Sequence, residues 1–333
     1  MIGKGKIEDM FLKRVIVNLI MKPSILVGGQ AVIEGVMMRV PGAYATAVRD
    51  SKGKIHIDKN NFTSKAENNN KWKKPILRGM ISLFESMKIG MKTLTWSANI
   101  ATPEEDKMKE PSKLATVFST STAILLALAL FMAAPYWITT KLFLVEKEAF
   151  LFNIIAGFFR ITFFILYLLL ISMMKDVKRL FQYHGAEHRV VYNFESGKDV
   201  TVENAQSFPT QHPRCGTSFL FIVMISAILI FSIIDSVFIG FFGSLTVVSR
   251  IILHLLMMPL VAGASYEVLK LSASKADNVI FRILRAPGLW LQNITTKEPD
   301  DEMVEVSIEA LKSAFGDKYK DVIGKKYVAE AIG

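Results

Sequence analysis

The sequence predicts a mainly α-helical integral membrane protein with about four transmembrane helices, a small N-terminal β-containing cytoplasmic region and C-terminal cytoplasmic helices. Three observations predict this class. Hydrophobic residues make up 51% of the 333 positions, and the mean hydropathy is +0.34. The chain nevertheless carries a net charge of +10, a combination typical of membrane proteins with basic cytoplasmic segments. Four apolar runs have the length of about 20 residues that a spanning helix needs.

The four apolar runs cover residues 114–138, 150–174, 217–239 and 244–264. The last two runs are nearly continuous, so a broken or re-entrant pair of helices is the alternative to two full spans. The N-terminus, residues 1–22, is basic, but its apolar stretch is too short to span and no small-residue cleavage site follows. We therefore do not expect a signal peptide.

Basic residues indicate how the spans are oriented. Lysine and arginine residues flank one side of the spans at positions 107–113, 175–179 and 270–285, whereas the opposite connections hold two lysines offset by two glutamates. Basic loops are retained in the cytoplasm. We therefore expect a multi-pass protein of the bacterial inner membrane, with both termini and the loop 175–216 in the cytoplasm.

Three regions follow from this pattern. Residues 1–112 form an N-terminal cytoplasmic region with a Gly-rich loop, a β-hairpin and an amphipathic helix. Residues 113–268 form the transmembrane region, whose cytoplasmic loop 175–216 carries His, Glu and Cys residues. Residues 269–333 form C-terminal cytoplasmic helices that lie at the membrane interface.

Local patterns predict the elements outside the spans. The strand-like runs 44–49 and 54–57 flank a good hairpin turn. Apolar residues at helical spacing predict an amphipathic helix over 76–91, packed on the strands or lying on the membrane surface. A final amphipathic helix over 303–315 begins after the capping pair Asp300–Asp301.

The most informative motif is the run Tyr183 to His188, which contains the pattern H-x-x-E-H directly after the second apolar run. We expect residues 175–193 to continue the second spanning helix. On a helix, His184 and His188 lie one turn apart on the same face, where two imidazoles can share one metal ion. Glu187 beside them is the candidate general base, because a carboxylate can take a proton from a bound water. The alternative is a pair of hydrogen-bonded core histidines.

A second cluster contains His212 and Cys215 and is a candidate source of further metal ligands. A set of three histidines, or of two histidines and a cysteine, favours a divalent metal such as zinc. Cys215 has two alternative interpretations: a nucleophile with His212 or His184 as its base, or a buried structural thiol. Since it is the lone cysteine, an intrachain disulfide is excluded, which fits a reducing compartment.

Two further stretches carry isolated polar residues. The run from Gly28 to Arg39 is rich in glycine and contains two isolated charges. Glu34 is an additional candidate for a ligand or an acid–base residue, and Arg39 is a candidate for a supporting role; the alternative is a turn that brings strands together. Near the cytoplasmic end of the fourth span, Tyr266 and Glu267 are candidates for a supporting or ligating role. The alternative for Glu267 is a salt bridge to a cytoplasmic base.

Five blocks resemble the YqhQ-like family of bacterial membrane proteins. They are GGQAVIEGVMMR (28–39), YHGAEHRVVYNFE (183–195), HPRCGTSF (212–219), PLVAGASYEVLKL (259–271) and APGLWLQNITTKEPDDEMVEVSIEAL (286–311). The blocks extend over essentially the whole chain. The resemblance implies a domain of unknown function that has been predicted to be a metal-dependent enzyme, and it implies no substrate.

These observations leave three hypotheses of function. The first is a metal-dependent, hydrolase-like enzyme at the cytoplasmic membrane face. The second is a non-catalytic membrane factor or scaffold, with or without structural zinc. Its basic face would bind a protein complex, RNA or anionic lipid, for example in membrane protein biogenesis. The third is a transporter, suggested by ionisable residues within the spans. The bilayer is the expected partner in all three, and a homo-oligomer is compatible with each.

The orientation predicts the outcome of cysteine labelling in intact cells after replacement of Cys215. A cysteine at position 198 should resist an impermeant reagent added from outside, because the loop 175–216 is cytoplasmic. A cysteine at position 147, in the opposite connection, is the matched control and should react. Labelling at position 198 with protection at position 147 would show that the topology is the reverse of the predicted one.

Overall fold

A computed structural model describes residues 25–68, 72–103, 105, 112–274 and 278–327. Residues 107, 109 and 275, on which the predicted orientation partly depends, lie outside this part of the chain, as does the segment 1–22. The strands are β1 (Gly28–Val32), β2 (Gly35–Val40), β3 (Ala43–Arg49) and β4 (Ile55–Asn61). The helices are α1 (Lys65–Asn68), α2 (Leu77–Ala101), α3 (Lys113–Leu128), α4 (Ala134–Phe143), α5 (Ala149–Ser172), α6 (Lys175–Ser196), α7 (Val202–Gln206), α8 (Gly216–Phe242), α9 (Val247–Ser274), α10 (Val279–Thr295), α11 (Asp301–Phe315) and α12 (Tyr319–Val322).

Four helical segments are long and apolar enough to cross a membrane, which confirms the predicted class. They cover Leu114–Phe143, Ala149–Ser172, Phe219–Phe242 and Val247–Ser272. The first combines α3 and α4 with a π-helical turn at Ala129–Ala133. The third and fourth are separate helices, each of spanning length, and they pack against each other.

The N-terminal region is a four-stranded antiparallel sheet in the order β1-β2-β3-β4. The predicted hairpin is confirmed: the backbone N–H groups of Lys52 and Lys54 both donate to the Asp50 carboxylate at 2.9 Å between β3 and β4. The Gly-rich stretch forms the hairpin of β1 and β2. Its turn contains Glu34, whose φ of 51° lies in the left-handed region. The Gly-rich run is therefore a turn that brings two strands together, which was the alternative to a ligand-bearing loop.

Helices cover both faces of the sheet. On one face, α6 packs on β1 and β2, α11 packs on β2 and β3, and the two helices form the main core with the sheet. The buried residues of this layer include Val36, Met38, Ala45, Ala47, Val190, Phe194, Met303 and Leu311. On the other face, Ile89 of α2 packs with Met37 and Tyr44. Each large side chain buried in this way contributes roughly 1.5–3 kcal/mol, so the sheet holds α6 in a fixed position.

The predicted continuation of the second span through residues 175–193 is wrong at one point. Helix α5 ends at Ser172, Met174 has extended backbone (φ −73°, ψ 135°), and α6 begins at Lys175. The apolar run ends here, and Asp176 lies in the first turn of α6, where an acidic side chain stabilises a new helix N-terminus. The break frees α6 from the direction of α5 and lets it pack on the sheet.

Helix α2 connects the sheet to the spans. It packs on β1 and β3 on one side and on α9 on another. The crossing with α9 is close, because a Cβ added to Gly79 would lie 2.7 Å from the Tyr266 Cβ and one added to Gly263 would lie 2.5 Å from the Ile76 carbonyl oxygen. The sheet is therefore held against the membrane end of α9.

A buried polar network joins the spans. Asp235 of α8 accepts a hydrogen bond from Asn153 of α5 at 2.7 Å, and its carboxylate lies 2.9 Å from Arg250 Nε of α9. His254 Nε2 donates to Asp235 at 2.8 Å, and His254 Nδ1 accepts from the Tyr136 hydroxyl of α4 at 2.5 Å. The side chains of Asp235, Arg250 and His254 are fully buried. Arg250 and His254, one helical turn apart on α9, therefore share one face of the helix and one partner.

Replacement of Asp235 by Asn should destabilise the transmembrane region, because Arg250 would be left buried without a counter-ion. Breaking a buried ion pair in this way costs about 3–5 kcal/mol. Thermal unfolding of the purified protein in nanodiscs measures the effect, with the exposed Asp321→Asn as the matched control. A further Arg250→Met change should recover part of the loss. Equal stability of Asp235→Asn and Asp321→Asn would contradict the structural role of the network.

Candidate metal centre at the membrane boundary

Helix α6 carries the H-x-x-E-H motif on the side that faces the ends of the spans. Its path is fixed by close contact with the segment after α10, since a Cβ added to Gly185 would lie 2.1 Å from the Lys297 carbonyl oxygen. The backbone N–H of Lys297 in turn donates to the Phe181 carbonyl at 2.9 Å. The glycine of the motif therefore permits a helix–backbone contact that no other residue fits.

Three of the predicted ligands meet in the structure. The donor atoms of His184, His188 and Cys215 all lie within 4.8 Å of one another. Cys215 takes the N-cap position of α8, directly before the third span, and its Sγ lies 3.1 Å from His184 Nε2. Two sequence blocks that are distant along the chain thus form one cluster at the membrane end of α8.

The two histidines present the same nitrogen to the cluster. His184 Nδ1 lies 2.8 Å from the Thr295 carbonyl oxygen, and His188 Nδ1 lies 2.5 Å from that of Thr210. Because a carbonyl oxygen only accepts, each Nδ1 carries a proton and donates. In the neutral rings Nε2 then carries the lone pair, as in histidines that bind metals in proteins.

The ionisation of the cluster is coupled. Burial alone would lower the pKa of His184, but the adjacent Cys215 sulfur outweighs burial and raises this pKa to about 9. Burial alone would likewise raise the pKa of the Cys215 thiol, but His184, and then His188, hold that pKa well below its ordinary value. The site therefore favours a thiolate next to a positive charge, which a proton or a metal ion can supply.

Glu187 lies beside the donors and is only 5% exposed. One of its carboxylate oxygens is 3.5 Å from His188 Nε2. Its side chain passes under strand β1, where a Cβ on Gly29 would lie 2.8 Å from the Glu187 Cγ. A glycine at this position is therefore what lets the carboxylate reach the cluster.

His212 lies next to the donor group. Its ring centroid is 5.5 Å from that of His188, and its Nδ1 accepts the backbone N–H of Arg214 at 3.3 Å. Its Nε2 is 3.8 Å from the Glu195 carboxylate, which also pairs with the Arg214 guanidinium. Burial lowers the pKa of His212. His212 therefore lies beside the three grouped donors and has polar partners of its own.

Three of the four other candidates have separate partners. Glu34 accepts from Arg179 of α6, with Nε to Oε1 at 2.6 Å, and the Glu267 carboxylate accepts from Nε and Nη2 of Arg78. The guanidinium of Arg39 lies over the Phe62 ring at 4.7 Å. The fourth, Tyr266, lines the same cavity as the three donors. Salt bridging was the alternative stated for Glu267.

Sequence reasoning missed the groups that orient the ligands. Thr210 and Thr295 act through backbone carbonyls, which leave no signal in the residue type. Gln292 of α10 holds the backbone of His212 from both sides, accepting from its N–H at 2.7 Å and donating to its carbonyl at 2.9 Å. This glutamine is fully buried on the same face of α10 as Leu291, and its polar side chain there was the available signal.

The cluster opens into a cavity of about 550 Å³. Its walls come from β1, α2 and α6 and from the membrane ends of α8 and α9. Residues from the spans, among them Phe219, Leu220 and Leu269, make one side apolar. The cavity therefore adjoins the membrane boundary and has the three donors and Glu187 in its wall.

The coupling predicts how Cys215, the single cysteine of the chain, reacts with an alkylating reagent as a function of pH. In chelator-treated protein the thiolate should persist well below pH 9, because the thiol pKa is depressed. His184→Ala removes the main stabilising partner, so the midpoint of alkylation should rise by at least about one pH unit. His56→Ala, a surface histidine change, should leave the midpoint in place. An unchanged midpoint in His184→Ala would refute the coupling.

Comparisons with known proteins show the family of this chain. Residues 74–317 match the family described as "Protein of unknown function (DUF1385)". The chain is 33% identical over 296 residues to "Uncharacterized protein YqhQ" of Bacillus subtilis (strain 168), an alignment that covers 85% of this chain and 90% of that protein. No solved structure matches. Since the family match includes α6, Cys215 and the four spans, the chain belongs to the DUF1385 family of YqhQ-like proteins.

Proposed function

We propose that the protein is a metal-dependent hydrolase whose site lies at the cytoplasmic boundary of the membrane. His184, His188 and Cys215 hold the metal, and Glu187 is the general base. One observation carries this proposal: two histidine Nε2 atoms, each oriented by a backbone carbonyl on Nδ1, converge on a cysteine sulfur.

The donor set fits zinc. Imidazole and thiolate are the ligands that zinc prefers in proteins, and three protein donors leave one tetrahedral position for water or substrate. Structural zinc sites instead fill all four positions with protein. A divalent metal bound in this way supplies a Lewis acid for water and for a substrate carbonyl.

Glu187 supports the hydrolytic interpretation. Its carboxylate lies at the edge of the donor group, and it lines the cavity. A general base must reach the proton that it removes from the attacking water, and it can return that proton to the leaving group. The position of Glu187 beside His188 meets this requirement on geometry.

A second candidate is a thiol hydrolase, in which Cys215 attacks the substrate and His184 is the base. The 3.1 Å contact between Sγ and Nε2, the lowered thiol pKa and the N-terminal position on α8 favour it. In this version the Thr295 carbonyl orients the histidine, as the third member of a triad does.

Metal content of the purified protein tests the proposal. Wild type should bind about one zinc per chain, and His184→Ala, His188→Ala and Cys215→Ser should each lose most of it because two ligands bind zinc weakly. His56→Ala is the matched control and should keep the metal. Wild-type protein that stays metal-free after purification without chelators and addition of zinc would contradict the proposal.

The variant Cys215→Asp separates the two candidates. Aspartate is a zinc ligand but cannot be a thiol nucleophile, so a metal hydrolase should keep metal and part of its function in a complemented deletion strain. Glu187→Gln should keep metal and fold and lose that function, since an amide cannot take the proton. Full loss of function in metal-loaded Cys215→Asp would favour the thiol hydrolase.

A further inference from the structure

Strand β1 has one edge that no part of the described chain pairs. Its partner is β2, in the register Gly28↔Arg39 to Val32↔Gly35. In an antiparallel pair, every second residue turns its N–H and C=O away from the partner strand. Ile33, which follows β1, donates its N–H outward to Ser97 Oγ at 3.1 Å, so Gly29 and Ala31 turn outward as well. Their backbone groups make no bond to another element among the described residues.

This free edge runs along the candidate site. The two faces of β1 are covered, by Glu187 of α6 at Gly29 and by α2 at Gln30, whose Oε1 lies 2.7 Å from a Cβ built on Gly90. The cavity touches Val27 to Ala31 as well as both of these helices. A cavity between two covering helices that contacts four consecutive residues of an edge strand, and the residue before it, lies along the edge of that strand.

Gly29 is exposed and Ala31 is half-buried, so their unpaired backbone groups are open to a ligand and form a template for pairing with another chain. An acyl chain offers no hydrogen bonds to Gly29 and Ala31. An extended peptide offers an N–H and a C=O at the same two-residue repeat, and this match is the basis of strand addition to a sheet edge. The chemistry of the edge therefore selects a peptide rather than a lipid.

We propose that the substrate is an extended polypeptide segment that adds to β1 as a further strand and presents a peptide bond to Glu187 opposite Gly29. The proposal rests on the hydrolase function proposed above. Water adds to the peptide carbonyl carbon and the C–N bond breaks. Glu187 takes one proton from the water and passes it to the departing amine, so a new carboxyl and a new amino terminus result.

The neighbouring walls indicate which segment fits. Phe219, Leu220 and Leu269 come from the membrane ends of α8 and α9 and line the same cavity as β1. A bound strand would therefore place alternate side chains on apolar surface at the membrane boundary. Apolar segments next to a span of another membrane protein have this character.

The probe is a pool of fluorescein-labelled hexapeptide hydroxamates with mixed apolar side chains, measured by fluorescence anisotropy on the full-length protein in nanodiscs. One control pool has N-methylated alternate amides, which cannot pair with a strand. A fluorescein-labelled acyl hydroxamate is the lipid-like control. We expect the unmodified pool to bind about tenfold more tightly than the methylated pool, since one or two hydrogen bonds are lost.

The variant Ala31→Pro removes the outward N–H without removing a bond to β2. It should weaken binding of the peptide pool about tenfold and leave binding of the acyl probe and the metal content unchanged. Ala31→Ser keeps the N–H and should bind as wild type does; if Ala31→Pro fails to fold, the methylated pool on wild type decides alone.

The outcomes separate the two proposals. Equal binding of both peptide pools, or tighter binding of the acyl probe, with metal retained, would overturn the peptide substrate and leave the hydrolase standing. Wild type without metal that still prefers the unmodified pool would overturn the metal-dependent hydrolase and support the strand-binding edge. Absence of metal and of any preference between the pools would overturn both.

Discussion

Helix α6 lies between two environments, and the positions of the site residues depend on how it meets each of them. Val190 and Phe194 bury one side of α6 in the core under the sheet. His184, Glu187 and His188 lie on the side that faces the cavity and the ends of the spans. Had α6 continued α5 without the break at Met174, it would not have packed on the sheet, and the motif would not have met β1 or Cys215.

Two buried polar clusters, one among the spans and one at the candidate metal centre, follow the same physical requirement. A charge that leaves water must find partners, and within the spans Asp235 finds Arg250, His254 and Asn153 from two other helices. At the boundary, the Cys215 sulfur finds two imidazoles. The charged members of the first cluster pair with one another, whereas the second cluster opens into a cavity of about 550 Å³. This difference is why function is assigned to the second.

Much of the architecture could be predicted from the sequence because its signals are local. A span is set by one continuous run of about 20 or more apolar residues, and the turn at Asp50 and the cap at Asp300 are each set by a few consecutive residues. The pairing of the H-x-x-E-H helix with Cys215 was suggested by residue types alone. Residue types did not predict which three of the four candidate ligands come together. That outcome depends on how the imidazole rings are oriented by Thr210, Thr295 and Gln292. The free edge of β1 is likewise a property of the assembled sheet and has no local sequence signal.

The central claim is that two imidazole nitrogens and one thiolate bind a metal and leave a position open. Zinc K-edge X-ray absorption of the purified protein measures this coordination directly. The structure predicts two nitrogen donors at about 2.0 Å, one sulfur at about 2.3 Å and one further light atom from solvent. A first shell without sulfur would contradict the assignment of Cys215 as a ligand. Four protein ligands would contradict the open position, and with it the catalytic interpretation of the site.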